Sequence, residues 1–483
     1  MNGYYVIAFL LYFIILLAIG LLSHRKQNSS ADFIMGDRSL NFWLVALSAH
    51  ASDMSAWLFM GLPAAVFLLG MHQTWIAIGL VIGMFLNWHF IAPKLRSETE
   101  KYNCYTLSSY FEKRLNDYSG LIRLISAIML VLFLTHYLSA GMIGMGNLLE
   151  SLFGINYYVG LTIALCVVVA YTLVGGFVAV AWTDLFQGLF LLVMIILVPV
   201  LAWQKIGGFS EIMAIAQENE ISFSILPQAD LLGVLSMILL AVSWGIGYFG
   251  MPHVITKFMS IDRVSELKKS KWVGITWQII VLAAAIGVGL IGIAFFKEGI
   301  ENPQLIFVDM VKSIFHPFFA GFILCAVLAA SMSTMDSQIL VCASVISEDL
   351  YPRIFKKEIT ALAKLRISRL SVILVSLLAM CLCLNKSKTI MDTVTYSWAG
   401  LGSTFGPLVL CTLYSKHINR YGAIAGMIGG GTTVMVWPYI NDQLLNVSIP
   451  MMIPGFTISL LSIYVVSFLT QKLVVKESYP IST

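Results

Sequence analysis

The chain has 483 residues, 59% of them hydrophobic and only 11% charged, with a net charge of +4. A soluble protein carries roughly a quarter charged residues, so this composition, with a mean hydropathy of +0.88, excludes a soluble globular protein and indicates a polytopic membrane protein. The small positive balance gives no reason to expect a nucleic-acid partner, since basic loops facing an anionic leaflet account for it.

A crossing needs about 20 apolar residues. Thirteen stretches qualify, roughly 3–23, 40–70, 72–92, 119–149, 157–177, 185–204, 229–250, 272–296, 316–347, 366–385, 390–413, 421–437 and 449–470. The first is followed, not preceded, by the positives Arg25 and Lys26. That is the reverse of a signal peptide, so it reads as a retained helix with its N-terminus outside. The second carries Ser52-Asp53-Met54-Ser55 and then Gly61-Leu62-Pro63. A charged side chain at that depth costs at least ~2.5 kcal/mol on insertion scales, so something must offset Asp53. The fourth contains Thr135-His136-Tyr137.

Asp184 follows Trp182-Thr183 where the sixth stretch opens. Two readings stand for it, a helix N-cap or an ion-relay carboxylate at the inner end of a path. The seventh ends in Trp244-Gly245-Ile246-Gly247-Tyr248-Phe249-Gly250-Met251-Pro252. Each glycine weakens a helix by ~1 kcal/mol, and proline removes a donor and clashes with the preceding turn. Trp244 and Tyr248 share a helix face and suit a cavity that clasps a small ring or aliphatic side chain. The ninth contains Ser331-Met332-Ser333-Thr334-Met335-Asp336-Ser337-Gln338, with Ser333 and Ser337 on one face. These hydroxyls either bond back to the preceding turn or, with carbonyls freed at a broken helix, form an oxygen-only site suited to Na+ and not to a transition metal. Asp336 either strengthens the field at such a site or pairs with an inner-loop lysine.

Irregular backbone at membrane depth is tolerated only inside protein or beside a water-filled cavity. Interrupted helices at corresponding places in two halves mark a transporter's binding site. The second and seventh stretches stand five apart, so the second to sixth and the seventh to eleventh form an inverted pair. With the N-terminus outside, the inner segments 24–39, 93–118, 178–184, 251–271, 348–365, 414–420 and the tail hold 21 of the 29 Lys and Arg. The outer segments hold five, at Lys205, Lys297, Lys312, Lys386 and Lys388. This alternation agrees with thirteen spans and a cytoplasmic C-terminus.

The seven cysteines show no metal-site spacing and read as packing residues, as do His50, His89 and His136. No P-loop, nucleotide-binding unit or nucleophile elbow is present, so neither ATP-driven pumping nor enzymatic catalysis is expected. No linker divides the chain, which reads as one membrane domain over 1–483.

Five segments in order, LSAHASDMSAWLFMGLPAAVF (47–67), AVAWTDLFQ (179–187), SWGIGYFGMPHVITKFM (243–259), MSTMDSQILVCASVISEDLY (332–351) and SWAGLGSTFGPLVL (397–410), resemble the sodium/solute symporter family, and within it the bacterial sodium/proline symporters. The resemblance spans nearly the whole chain. It implies an all-α, leucine-transporter-type inverted repeat. Repeat one covers about 40–204 and repeat two about 229–413, with peripheral helices at 3–23, 421–437 and 449–470. It further implies Na+-coupled import of L-proline across a bacterial inner membrane by alternating access.

Carried over by motif, the Na+ ligands are the backbone oxygens of Ala51 and Met54 and the hydroxyls of Ser333 and Thr334. Asp53, Ser55, Asp184, Asp336 and Ser337 serve Na+ coupling. Tyr137, Trp244, Tyr248 and Pro252 shape the substrate pocket, and Arg38 stands near the inner mouth. Asp53 is expected to accept backbone N–H groups at the break and to supply negative field for Na+. Two positions depart from the proline symporters' pattern: His50 stands where they carry Gly, and Asp336 where they carry Ser. The rival readings are a relative with another solute (a sialic acid, pantothenate or a sugar) and, in a different class, a non-transporting membrane sensor, which usually appends a signalling domain. The resemblance leaves the oligomeric state open.

Overall fold

The computed structural model describes residues 3–23, 30–226, 231–355, 360–385, 389–441 and 449–473. Arg25, Lys26, Lys356, Lys357, Lys386, Lys388 and Lys476 of the charge tally lie outside them. Each of the thirteen apolar stretches is helical: α1 (Gly3–Ser23), α2 (Phe42–Ala51 and Ala56–Leu69), α3 (Met71–Lys101), α4 (Leu121–Phe153), α5 (Tyr157–Ala170), α6 (Gly176–Trp203), α7 (Leu231–Gly250), α8 (Val264–Phe295), α9 (Pro317–Phe355), α10 (Leu362–Leu382), α11 (Ile390–Tyr414), α12 (Arg420–Ile440) and α13 (Met452–Leu469). No strand occurs among the described residues, and helices carry the backbone hydrogen bonds that a bilayer demands, save at two breaks.

By length and composition ten helices suffice to cross a membrane, or eleven when the two halves of α2, bent by 69°, count as one span. The expected thirteen is not reached on those grounds. The helix that begins at Tyr157 runs on to a turn at Gly176, whose φ of 63° only glycine adopts freely. α11 mixes Gly400, Gly402, Ser403, Thr404, Gly406 and Pro407 into its apolar sequence. The same turn starts α6 well before Asp184, so the N-cap reading of Asp184 is wrong; it sits inside the helix.

The centre of the bundle is α9, buried almost continuously from Ala320 to Val345 and packed on α1, α4, α5–α6 and α10. Its Ala, Ser and Gly content lets neighbours approach closely. The first half of α2 lies against α6 and α8, α7 against α3 and α11, and the α12–α13 pair leans on α11. At the α3–α7 crossing a Cβ on Gly83 would lie 2.1 Å from the Gly245 carbonyl oxygen, so only glycine fits there.

The segments expected on the inner side meet at one end of the bundle. Arg38 donates to the carbonyls of Thr99 and Cys104 (both 2.9 Å), and Arg96 to Ile261 (2.8 Å). Arg114 donates to Thr412 (3.1 Å), and Arg353 to Glu112. Leu40 and Ile261 form a parallel bridge there, with Leu40 N donating to Ser260 O (3.2 Å) and Asp262 N to Leu40 O (2.9 Å). Burial first, and then the charge of Arg96, lower the pKa of Arg38 at this mouth.

Candidate functional site

The first half of α2 starts on an Asn41 side chain that accepts from Leu44 N (3.0 Å) and runs to Ala51. There the helix comes apart. Asp53 N and Met54 N both fall back on the His50 carbonyl (3.2 Å each), Ser55 N bonds Asp53 O (3.2 Å), and the helix resumes as Leu58 N reaches Ser55 O (3.0 Å). Among the described residues no loop or turn N–H donates to the Met54 carbonyl. All of residues 51–64 are buried, so these backbone oxygens face protein.

α9 crosses this break. The Ser333 hydroxyl donates to Ala51 O (2.9 Å) and to Ala330 O (3.1 Å), and Thr334 Oγ1 to Ala330 O (3.1 Å). Two of the expected ion ligands, Ala51 and Ser333, are therefore in direct contact, with Thr334 beside them. Ser55 Oγ is buried without a partner next to Tyr137. Ser337 is not part of this group: its hydroxyl, also without a partner, belongs to a small cavity walled by Phe177, His253, Thr256 and Lys257.

α7 brings the second break to the first. After Gly247 the backbone tightens through Tyr248–Gly250, becomes extended at Met251 (ψ 101°) and resumes as the helix Pro252–Met259. The Tyr248 hydroxyl donates to Asp53 Oδ2 and accepts from Gln278 Nε2 (3.0 Å), while Asn87 Nδ2 donates to the Tyr248 carbonyl (3.0 Å). The expectation that Asp53 accepts backbone N–H groups is thus overturned. The donors near the break are spent on the His50 and Asp53 carbonyls, and the carboxylate reaches across to the phenol instead. Asp53 Oδ1 has no partner.

Around this contact the aromatic rings close up. Trp57 and Trp244 centroids are 6.2 Å apart, Trp244 and Trp398 5.8 Å, and Tyr248 meets Trp398 edge-on at 4.9 Å. Trp398 Nε1 donates to the Trp244 carbonyl (3.1 Å). Tyr137 stands beside Ser55 and Trp57 and edge-on to His253 at 5.7 Å. Pro252 is set apart from the indoles, on the wall of a cavity with Ile34, Tyr105, Thr106, Leu130 and Thr256.

The remaining carboxylates lie toward the basic end. Asp184 Oδ2 accepts from Ser48 Oγ (2.6 Å) and from Lys257 Nζ (3.1 Å), a fully buried ion pair. Asp336 Oδ1 accepts from Thr172 Oγ1 (2.7 Å), so neither of its two sequence readings, cation field or loop lysine, describes its nearest partner. His50 accepts from Trp88 Nε1 (3.1 Å) and stacks on that ring, as a packing residue does. Trp57, Gln278, Trp398 and Lys257 are site residues that sequence reasoning missed. Trp57, Trp398 and Lys257 stood inside quoted motifs, but nothing in one sequence separates a buried Lys257 from the loop lysines that follow it.

A family model described as the sodium:solute symporter family matches residues 33–430. The chain belongs to the sodium:solute symporter family. Among its relatives in that family, the high-affinity proline transporter PutP of Bacillus subtilis (strain 168) is 42% identical over 94% of this chain and 96% of its own. A sodium/proline symporter of Staphylococcus aureus (strain JH9) is 38% identical over 95% of this chain and 92% of its own. In structure the family member resembles a Na+-coupled sialic acid symporter in a substrate-bound outward-open state, with a TM-score of 0.80 at 18% identity over 97% of this chain and 98% of that one. That likeness establishes the fold, the leucine-transporter-type architecture expected from the sequence.

Proposed function

We propose that the protein is a Na+-coupled secondary active symporter that imports L-proline across a bacterial cytoplasmic membrane by alternating access. The observation that carries the reading is the Ser333 hydroxyl on the Ala51 carbonyl, α9 against the break of α2. The names of the proline-transporting relatives support the substrate.

Na+ takes the backbone oxygens of Ala51 and Met54 and the hydroxyls of Ser333 and Thr334, an oxygen set that suits a hard cation. To bind it, the Ser333 proton turns from Ala51 and the lone pairs of both atoms face the ion. Asp53 supplies negative field from the neighbouring residue, and Ser55 lines the approach. Tyr248 joins the two sites, since its hydroxyl bonds Asp53 while its ring belongs to the aromatic group with Trp244 and, beyond Ser55, Tyr137. These rings clasp the pyrrolidine, and Pro252 shapes the way out beneath them. Ser337 and Asp336 act on the ion through α9 and its field.

Repeats of about 40–204 and 229–413 rock against each other, with the N-terminus outside and the C-terminus in the cytoplasm. One Na+ entering down 100 mV supplies ~2.3 kcal/mol and a tenfold gradient ~1.4 kcal/mol more, which sustains roughly 500-fold accumulation.

The test is uptake of labelled L-proline into proteoliposomes under an inward Na+ gradient, with K+ in place of Na+ as control. Uptake that needs Na+ and collapses when the gradient is dissipated supports the proposal. Proline uptake indifferent to Na+ would overturn the ion site. Na+-driven uptake of another solute with none of proline would overturn the substrate.

A further inference from the structure

Lys257 belongs to the helix that resumes α7 after its break, Pro252–Met259. The sequence places it among the basic residues of an inner segment, where it would be solvated. Its side chain is instead 2% exposed, and its only carboxylate partner among the described residues is Asp184, 0% exposed. Nζ stands 3.1 Å from Asp184 Oδ2, which also takes the Ser48 hydroxyl at 2.6 Å. The Phe177 ring lies 4.7 Å from Nζ and closes the site on another side. The ion pair therefore ties three elements together: Ser48 on the first half of α2, Asp184 on α6 and Lys257 on the second half of α7.

A carboxylate buried so fully stays charged only where a cation or strong donors stand beside it, and Asp184 has both. The Ser48 hydroxyl bonds Asp184, and on the far side of Lys257 a small cavity holds Ser337, His253 and Thr256, with Asp336 in the field of the same pair. A carboxylate with hydroxyls is the donor set a Na+ ion takes. The place is filled by an ammonium that cannot leave, because the chain tethers it.

We propose that Lys257 is a built-in cation standing where a second Na+ would otherwise bind Asp184, so that one Na+, the ion of the Ala51–Ser333 site, accompanies each substrate molecule. This rests on the Na+-symport reading. Lys257 is then a residue that sets ion number without touching substrate. Its pair travels intact through the transport cycle and releases nothing to the cytoplasm. Asp336 is the competing place for a second ion. It lies in the field of the same pair and is bonded by Thr172, with no ion-pair partner among the described residues.

The experiment uses the full chain in proteoliposomes with the voltage clamped at zero, and reads the proline ratio that halts net flux at a tenfold Na+ ratio. One Na+ per zwitterionic proline balances at about tenfold and two at about 100-fold. The wild type is expected near tenfold, and Lys257→Arg with it. Lys257→Met frees Asp184 for a second Na+ and is expected near 100-fold. Asp184→Asn with Lys257→Met removes both charges and returns to tenfold. A wild-type ratio near 100-fold overturns the proposal and points to Asp336, as does a folded Lys257→Met that stays at tenfold. If Lys257→Met does not reconstitute, Lys257→Gln takes its place with the same two outcomes, near 100-fold in support and tenfold against. Failure of the symport reading itself looks different, because the wild type would then show no Na+-driven proline flux at all.

Discussion

Tyr248→Phe removes one oxygen from the junction of the two broken helices. That oxygen donates to Asp53 and accepts from Gln278 Nε2, and both Tyr248 and Asp53 are 0% exposed. Since Asp53 Oδ1 has no partner, the phenol is the only side-chain donor to this carboxylate among the described residues. A hydrogen bond to a charged group contributes about 1.5–3 kcal/mol, which at 1.36 kcal/mol per tenfold is roughly a 10- to 150-fold effect. Phenylalanine keeps the edge contact with Trp398, so folding changes little.

The assay is a double-mutant cycle of Tyr248→Phe and Asp53→Asn, reading proline affinity in saturating Na+ on purified protein. Each single variant is expected to weaken proline within that range. The double variant is expected to be little worse than the poorer single, a coupling of at least ~1 kcal/mol between contacting groups. Losses that simply add would show that the phenol–carboxylate contact does not link the ion site to the substrate site.

Ser333→Ala should raise the Na+ concentration for half-maximal uptake by about tenfold or more, in line with the loss of one ion-facing oxygen; an unchanged Na+ dependence contradicts the ligand assignment. At Gly247 a Cβ would lie 2.0 Å from Trp398 Nε1, which holds the Trp244 carbonyl. Gly247→Ala is therefore expected to cost about 1–3 kcal/mol by overpacking, lowering both the thermal midpoint and proline affinity. A wild-type melting curve would rule out that crowding. Arg123 Nε bonds the fully buried Asp349 at 2.6 Å, whereas the Lys269–Glu266 pair is largely exposed on the lysine side. Arg123→Ala should cost ~3 kcal/mol by stranding a buried charge, while Lys269→Ala should stay within ~0.5 kcal/mol; equal melting shifts would contradict the contrast.

The helices were legible because hydropathy and length are nearly independent of tertiary detail. The break of α7 was legible because Gly and Pro act on the backbone locally, and that of α2 because Ser52-Asp53-Met54-Ser55 sets polar groups inside an apolar run. The meeting of Ala51 with Ser333 was implied only by the resemblance of two motifs, far apart in sequence, to those of a known family. What escaped the sequence is partner choice across helices. Asp53 goes to Tyr248 and not to backbone, Asp336 to Thr172, and Lys257 from an expected loop to Asp184. Each depends on how deep and at what angle one helix lies against another, which periodicity does not carry. The start of α6 was misjudged for a related reason, since the positive φ of Gly176 is a tertiary choice that a glycine permits but does not announce.

The most direct test of the central claim is calorimetric titration of L-proline into the purified wild type and Ser333→Ala, in NaCl and in choline chloride. If Na+ at the α2–α9 junction prepares the aromatic pocket, the wild type binds proline at least tenfold more tightly in NaCl, and Ser333→Ala needs far more Na+ to do the same. Equal proline affinity in both salts for the wild type would contradict the coupling and the site together.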